Sequence, residues 1–560
     1  MKFDIILGLI ILTFVVFIIR HFHYTLKLRS FGKANGCKPV IRWPLKDPLL
    51  GLDYWWALNQ AAKRRRLLDW IRHQYDKYGT TYYTRLHITN VISTCDPENI
   101  KAMHTTRFED FALDNRRELA FLPLLGRHSV LLANGHEWEQ KRAMLRPSFS
   151  KEQYTNTLLY ERHVSRLIGN VKSAPECKID LAHQFLCLTV DITSEVMFDK
   201  SIELLKDDKY DLLDNMTNSA EGGHAAWLLV WLTKFVRQPV YHNSVKHVRK
   251  FMQLYVVDDA IAYSNKVAMG GHTDFKVNKS LPRQENSRLP RPIYLEAVAK
   301  ATDDPTVMLD ELTTILFAGR DTTAALMTNL FFLISRHPHV WTRIRADVGF
   351  LEGSKPTHEQ LKGMDYLQAC LKETLRLLPV IPLNTRMAIR DTVLPRGGGP
   401  DGQSPIVVPA GTHIAFHVTA LHRRPELWGD DAEEYKPERW ESMKANWVCN
   451  VLALLKSIPP PFTDTFTLAD LTSHISPLLM YSLGVSTDHR ESNLQKHQPF
   501  GMGPRNCPGQ HLSLAEAAYT TCRLAQEFKE VKPLEYGPWE ELISLTCTSA
   551  SGAQVQMVPA

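Results

Sequence analysis

Phe500-Gly-Met-Gly-Pro-Arg-Asn-Cys-Pro-Gly509 runs directly into a helical stretch, His511 to Glu527. Gly503 and Gly509 permit backbone conformations and close approaches that a side chain would block. Arg505 lies two residues before the cysteine and a helix N-terminus lies just after it, and both favour the thiolate over the thiol. Phe500 can cover the sulfur side of a flat cofactor. A thiolate held this way suits axial ligation of haem iron. A buried free cysteine in a tight turn is the plain alternative. A glycine-rich nucleotide loop is another, although Asn506 stands where GxGxxG needs its third glycine and no GK[S/T] occurs.

Three other segments precede this loop. Glu373-Thr-Leu-Arg376 sits in a helical pattern, where positions three apart share a face and can pair; alone it is commonplace. Pro437-Glu-Arg-Trp440 follows it. Ala318-Gly-Arg-Asp-Thr-Thr323 lies inside a long apolar helix, Leu309 to Ser335. A mid-helix glycine costs about 1 kcal/mol relative to alanine, so Gly319 needs a compensating reason. Thr322 can bond back to a carbonyl one turn earlier. A helix that tolerates Gly and Thr at a packing contact explains the same residues. Trp138-Glu-Gln-Lys-Arg142 is the earliest of the set.

Together, FGMGPRNCPG, ExxR with PERW, AGRDTT and WEQKR, in this order, resemble the cytochrome P-450 family. The resemblance implies a mainly α fold with small β-sheets. It implies heme b with Cys507 as the axial thiolate and metal ligand, and Phe500, Gly503, Arg505 and Gly509 at the fixed positions of the haem loop. It also implies Trp138, Arg142, Arg386 and Arg505 at the haem propionates, where charge-assisted bonds are an adequate reason for arginine. Glu373, Arg376 and Arg439 would form a buried structural triad. Asp321 and Thr322 would be the acid and alcohol that organise proton delivery for dioxygen chemistry.

AGRDTTA, the run from Asn384 to Gly402, and Leu421-His-Arg-Arg-Pro425 are most similar to the fungal n-alkane and fatty-acid ω-hydroxylases. Pro508 and Met502 depart from that group, which keeps open a tailoring role in fungal secondary metabolism. A second departure is length. Fifty-nine residues separate Trp440 from Phe500, whereas structureless loops beyond about 12–15 residues are uncommon in compact domains. Residues 441–498 therefore read either as a surface insertion or as translated intron sequence.

The remaining sequence sets the context. With 66 Lys and Arg against 60 Asp and Glu, the net charge of +6 is diffuse, and no basic stripe points to nucleic acid. The nine cysteines form no CxxC pair, so a reducing compartment fits. No GxSxG or HExxH supports a hydrolase. Phe3 to Ile19 is apolar enough to span the thin endoplasmic reticulum membrane once, and the basic residues behind it leave the rest of the chain cytoplasmic. The expected layout is an anchor at 1–24, a proline-punctuated connector at 25–50 and a monooxygenase domain at 51–560. No nicotinamide or flavin fingerprint is present, so electrons would come from an NADPH-cytochrome reductase, with cytochrome b5 as a second donor. A hydrophobic small molecule and the membrane are the other expected partners. An inactive haem-binding membrane protein is the alternative of another class.

Overall fold

The computed structural model describes residues 2–206, 210–228, 238–268, 293–441, 443 and 496–560. All but 441, 443 and 496–498 of the expected insertion lies outside the described residues. The chain is mainly helical with small sheets. It divides into two compact units, one formed by Met1–Asp114, Leu383–Leu421 and Met502–Arg505, the other by Asn115–Pro382, His422–Gly501 and Asn506–Ala560.

The first unit holds a five-stranded sheet in the order Thr81–Leu86, Thr89–Thr94, His413–His417, Leu383–Ala388, Phe111–Ala112. Neighbours are antiparallel except Thr89–Thr94 and His413–His417, which run parallel. These strands are rich in Thr, Tyr and Ile, which suit a pleated, half-buried surface. A hairpin pairs Thr392–Gly398 with Ser404–Val408. Its first strand continues through two glycines, Gly397 and Gly398. A Cβ at Gly397 would lie 2.6 Å from Thr81 Cγ2, and one at Gly398 2.6 Å from the Pro405 carbonyl oxygen. Only glycine lets the backbones close up there.

The N-terminal helix spans Lys2–Ala34, ten residues beyond the expected anchor. Its apolar window has mean hydropathy 1.3 and no buried residue, so it is long and apolar enough to cross a membrane. Its last turns lie against the first unit: Tyr24 donates to Asp391 Oδ1 at 2.7 Å, and a Cβ at Gly32 would sit 2.8 Å from Val407 Cγ2. The stretch after it is no free connector. Lys38 N donates to Pro405 O at 2.9 Å, and Val40 and Arg42 form isolated bridges to Gly398 and Tyr83. Residues between the prolines still carry N–H and C=O groups, and these pair with sheet edges.

In the second unit the expected helices appear with small shifts: Gly135–Leu145, Asp365–Leu377 and Gln510–Glu527. The long apolar helix begins earlier than its apolar run, at Pro305, and ends at Arg336. Asp304 fixes that start, its carboxylate accepting from Thr306 N at 2.7 Å with Pro305 in the first turn. Helix Leu181–Phe198, apolar on most faces and largely buried, packs against it. A three-stranded sheet (Lys178–Asp180, Gln554–Pro559, Phe528–Pro533) and a two-stranded one (Glu541–Ile543 with Cys547–Ser549) complete this unit.

Candidate active site

Cys507 and most of the candidate residues belong to the second unit; Gly503, Arg505 and Arg386 belong to the first. Each set is built by local sequence. In the second unit, Cys507 N donates to Phe500 O at 2.9 Å, closing the loop onto the residue expected to cover the sulfur. Cys507 is a free thiol with accessible surface, yet burial pushes its pKa up. The Gly509 and Gln510 amides and the Arg142 guanidinium act against that burial, favouring the thiolate. The cation acting on the sulfur is therefore Arg142, where the sequence pointed to Arg505. Gly509 has an ordinary φ of −81°. Its value is space: a Cβ there would lie 3.3 Å from Phe149 and 3.9 Å from Cys507 Sγ.

Arg142 rises from helix Gly135–Leu145, one turn after the buried Trp138. Its Nη2 donates to Asn506 O at 2.7 Å and to Asn506 Oδ1 at 2.8 Å. Asn506, read earlier only as a missing glycine, is the residue that ties this arginine to the cysteine loop.

Glu373 and Arg376 pair in a two-point contact, Nη2 to Oε1 at 2.8 Å and Nε to Oε2 at 2.9 Å. Arg439 Nε adds a contact to Glu373 Oε1 at 2.8 Å, so the three residues expected to meet do so. Glu373 and Arg376 are fully buried, and Arg376 also donates to the carbonyls of His422, Ala432 and Glu434. Two members of this cluster were not anticipated. Trp440 Nε1 donates to Glu373 Oε2 at 2.9 Å, and Asp431 Oδ1 accepts from Arg439 Nη1 at 2.9 Å. The tryptophan in PERW was the visible signal.

On helix Pro305–Arg336, Thr322 Oγ1 donates back to Ala318 O at 2.8 Å, the bond expected of it. Gly319 has a packing reason: a Cβ there would overlap Thr193 of helix Leu181–Phe198. Asp321 is buried, its Oδ1 receiving a 2.6 Å bond from Arg320 Nη1. Burial raises the Asp321 pKa, and Arg320 opposes the rise. Phe317, one residue before the AGRDTT segment, has no accessible surface and is a core residue.

In the first unit Gly503 has φ +68° and stands where any Cβ would overlap the His104 carbonyl oxygen. Two independent constraints thus require glycine. Arg505 ends the short turn Gly503–Arg505. Arg386, on strand Leu383–Ala388, is buried and donates through Nη2 to His104 Nε2 at 3.1 Å. His104 Nδ1 donates in turn to Ile100 O at 2.9 Å. Burial, then the Arg386 charge, pushes the His104 pKa down to about 3, so the ring is the neutral acceptor that this geometry needs.

Fungal cytochromes P-450 are similar to this chain over most of its length. It is 33% identical over 534 residues to the cytochrome P-450 monooxygenase himC of Aspergillus japonicus, covering 93% of this chain and 84% of that one. It is 33% identical over 536 residues to the cytochrome P-450 monooxygenase fsdH of Fusarium heterosporum, covering 94% and 84%. Identity to cytochrome P-450 52A13 of Debaryomyces hansenii is also 33%, over 567 residues and 97% and 95% of the two chains. The cytochrome P-450 family model matches residues 47–540. The chain belongs to that family and is an oxidoreductase of the monooxygenase type.

Proposed function

We propose that this protein is a membrane-anchored haem-thiolate monooxygenase that inserts one oxygen atom of dioxygen into an aliphatic C–H bond of a hydrophobic, chain-like substrate. The observation that carries the reading is Cys507, an accessible thiol in a loop closed by the Phe500 carbonyl and acted on by Arg142 and two amides. That donor set fits heme b: a single thiolate for iron, a side-chain-free Gly509 beside it, and arginines for the propionates. Cys507 would hold the iron; Trp138, Arg142, Arg386 and Arg505 would hold the propionates, with Phe500, Gly503 and Gly509 shaping the loop. When bound, the haem supplies dioxygen activation.

The protein's own part is to position and to move protons. Asp321 and Thr322 are assigned the acid and alcohol roles, because a buried carboxyl and a hydroxyl at consecutive positions of one helix supply the two proton-bearing groups that such a relay needs. Electrons come from a separate NADPH-cytochrome reductase, with cytochrome b5 as an accessory donor. The helix Lys2–Ala34 supports anchoring in the endoplasmic reticulum with the catalytic domain in the cytosol.

The test is the ferrous carbon-monoxide spectrum of the full chain and of Cys507→Ala, followed by product analysis with reductase present. A thiolate-type Soret band that survives Cys507→Ala overturns the ligand assignment. Oxidation of compact polycyclic compounds but not of fatty acids or alkanes favours the secondary-metabolite reading over the lipid-chain one.

A further inference from the structure

Arg320 occupies an improbable position. Adjacent residues on an α-helix point about 100° apart and do not face each other, yet Arg320 and Asp321 form a 2.6 Å ion pair between two buried side chains. Something outside the helix must turn the guanidinium toward its neighbour. That contact is Thr217 on helix Tyr210–Leu228, whose hydroxyl oxygen accepts from Arg320 Nη2 at 2.5 Å. The backbone is held as well, by Thr189 Oγ1 donating to the Arg320 carbonyl at 2.8 Å. With Oδ1 occupied, the second carboxyl oxygen of Asp321 is buried and has no hydrogen-bond partner among the described residues.

The charges explain why such a pair is worth holding. A lone carboxylate in this environment would be expelled or neutralised. The neighbouring side chains that approach this turn, Thr189, Thr193 and Thr217, are all neutral. Among the described residues Arg320 is the one charged group acting on Asp321.

We propose that Arg320 is the positioning residue of the distal carboxyl: it fixes Oδ1 of Asp321, leaves Oδ2 as the oxygen that carries the proton, and, through Thr217, ties this arrangement to helix Tyr210–Leu228. The inference rests on Asp321 having the proton-relay role assigned above. Arg320 itself touches no reacting atom. No covalent step is added, since one proton arrives at Oδ2 and one leaves it.

The experiment uses the full-length holoenzyme with reductase and a substrate that it oxidises. Haem loading is first read from the ferrous carbon-monoxide band, which reports on Cys507 and not on Arg320. In Arg320→Gln the ratio of peroxide released to product formed should rise at neutral pH. The pH at which that ratio changes should move upward by a unit or more, since the carboxyl loses its counter-ion. Arg320→Lys should recover part of the wild-type profile. Thr217→Val should shift it in the same direction, while Thr217→Ser should not. Thermal unfolding supplies a readout independent of turnover. Arg320→Gln should lose stability as pH rises above about 4, the ordinary aspartate value, because the unpaired carboxyl must stay protonated in the fold. The double variant Arg320→Gln, Asp321→Asn should recover most of that loss. Purely additive stability effects, or an unshifted coupling profile in a haem-loaded Arg320→Lys or Thr217→Val variant, overturn the proposal. Absence of the thiolate band in the wild-type chain would instead overturn the functional reading on which it rests.

Discussion

The rings of Trp440 and His497 lie 4.7 Å apart, centroid to centroid, at an interplanar angle of 60°. His497 also stacks on His422 at 5.1 Å, and Gln498 N donates to His422 Nε2 at 2.9 Å. The chain therefore departs from and rejoins the body beside Glu373, the carboxylate that Trp440 bonds.

Because the two ends already meet, a short link can replace what lies between them at little entropic cost. A chain lacking residues 444–495 should fold and retain haem at wild-type stoichiometry. The haem-to-protein ratio of the deleted chain checks this, and a clear loss would show that the segment is structural. Sequencing the transcript independently separates a genuine insertion from retained intron.

Glu373→Ala should be the most damaging single change in the second unit. It strands two guanidinium groups, and breaking a buried ion pair costs about 3–5 kcal/mol. Trp440→Phe removes one bond to the same carboxylate while keeping the ring, so about 1–3 kcal/mol is expected. Urea unfolding of both variants gives the ranking, which a larger effect at Trp440 would reverse.

Gly319→Ala should destabilise through overlap with Thr193, by about 1–3 kcal/mol, the ordinary range for overpacking. The obstructing atoms are the Thr193 side-chain branches, so Thr193→Ala should relieve part of the cost in the double variant. Independent, additive losses would show that the glycine serves something other than this helix crossing.

Acid should unfold the protein earlier than its carboxylates alone would dictate. Burial pushes His104, His417 and His422 each down to about 3, against an unfolded value of about 6.5. Such histidines are neutral in the fold and protonated in the unfolded chain, so stability is full above about pH 6.5 and falls as pH drops toward 3. Denaturation midpoints measured from pH 7 to 4 should decline across that window. A flat profile down to pH 5 would count against neutral burial of these rings.

Two truncations should behave differently. Removing residues 1–23 leaves Tyr24 and its bond to Asp391 and should release much of the protein from microsomes with its fold intact. Removing residues 1–34 also uncovers Val407, against which Gly32 packs, and should lower the unfolding temperature. Equal stability of the two truncated chains would show that the docked turns are passengers.

Much of this protein was readable from local pattern. The apolar period and flanking residues located the helices around Trp138, Asp321 and Glu373, because a helix is specified by residues three and four apart. The FGMGPRNCPG loop and the ExxR, PERW and AGRDTT segments identified the family, since each packs several special residue types into a few positions. What only the tertiary structure decided are the partners drawn from distant sequence. Gly319 meets Thr193, Arg142 reaches Asn506, Trp440 joins Glu373, and Arg320 is turned onto Asp321 by Thr217. A single sequence states which donors and acceptors exist, whereas burial and chain crossing determine which of them must satisfy one another. The glycine hairpin and the last turns of the N-terminal helix make the same point, because close backbone approach is a property of two segments and is written in neither alone.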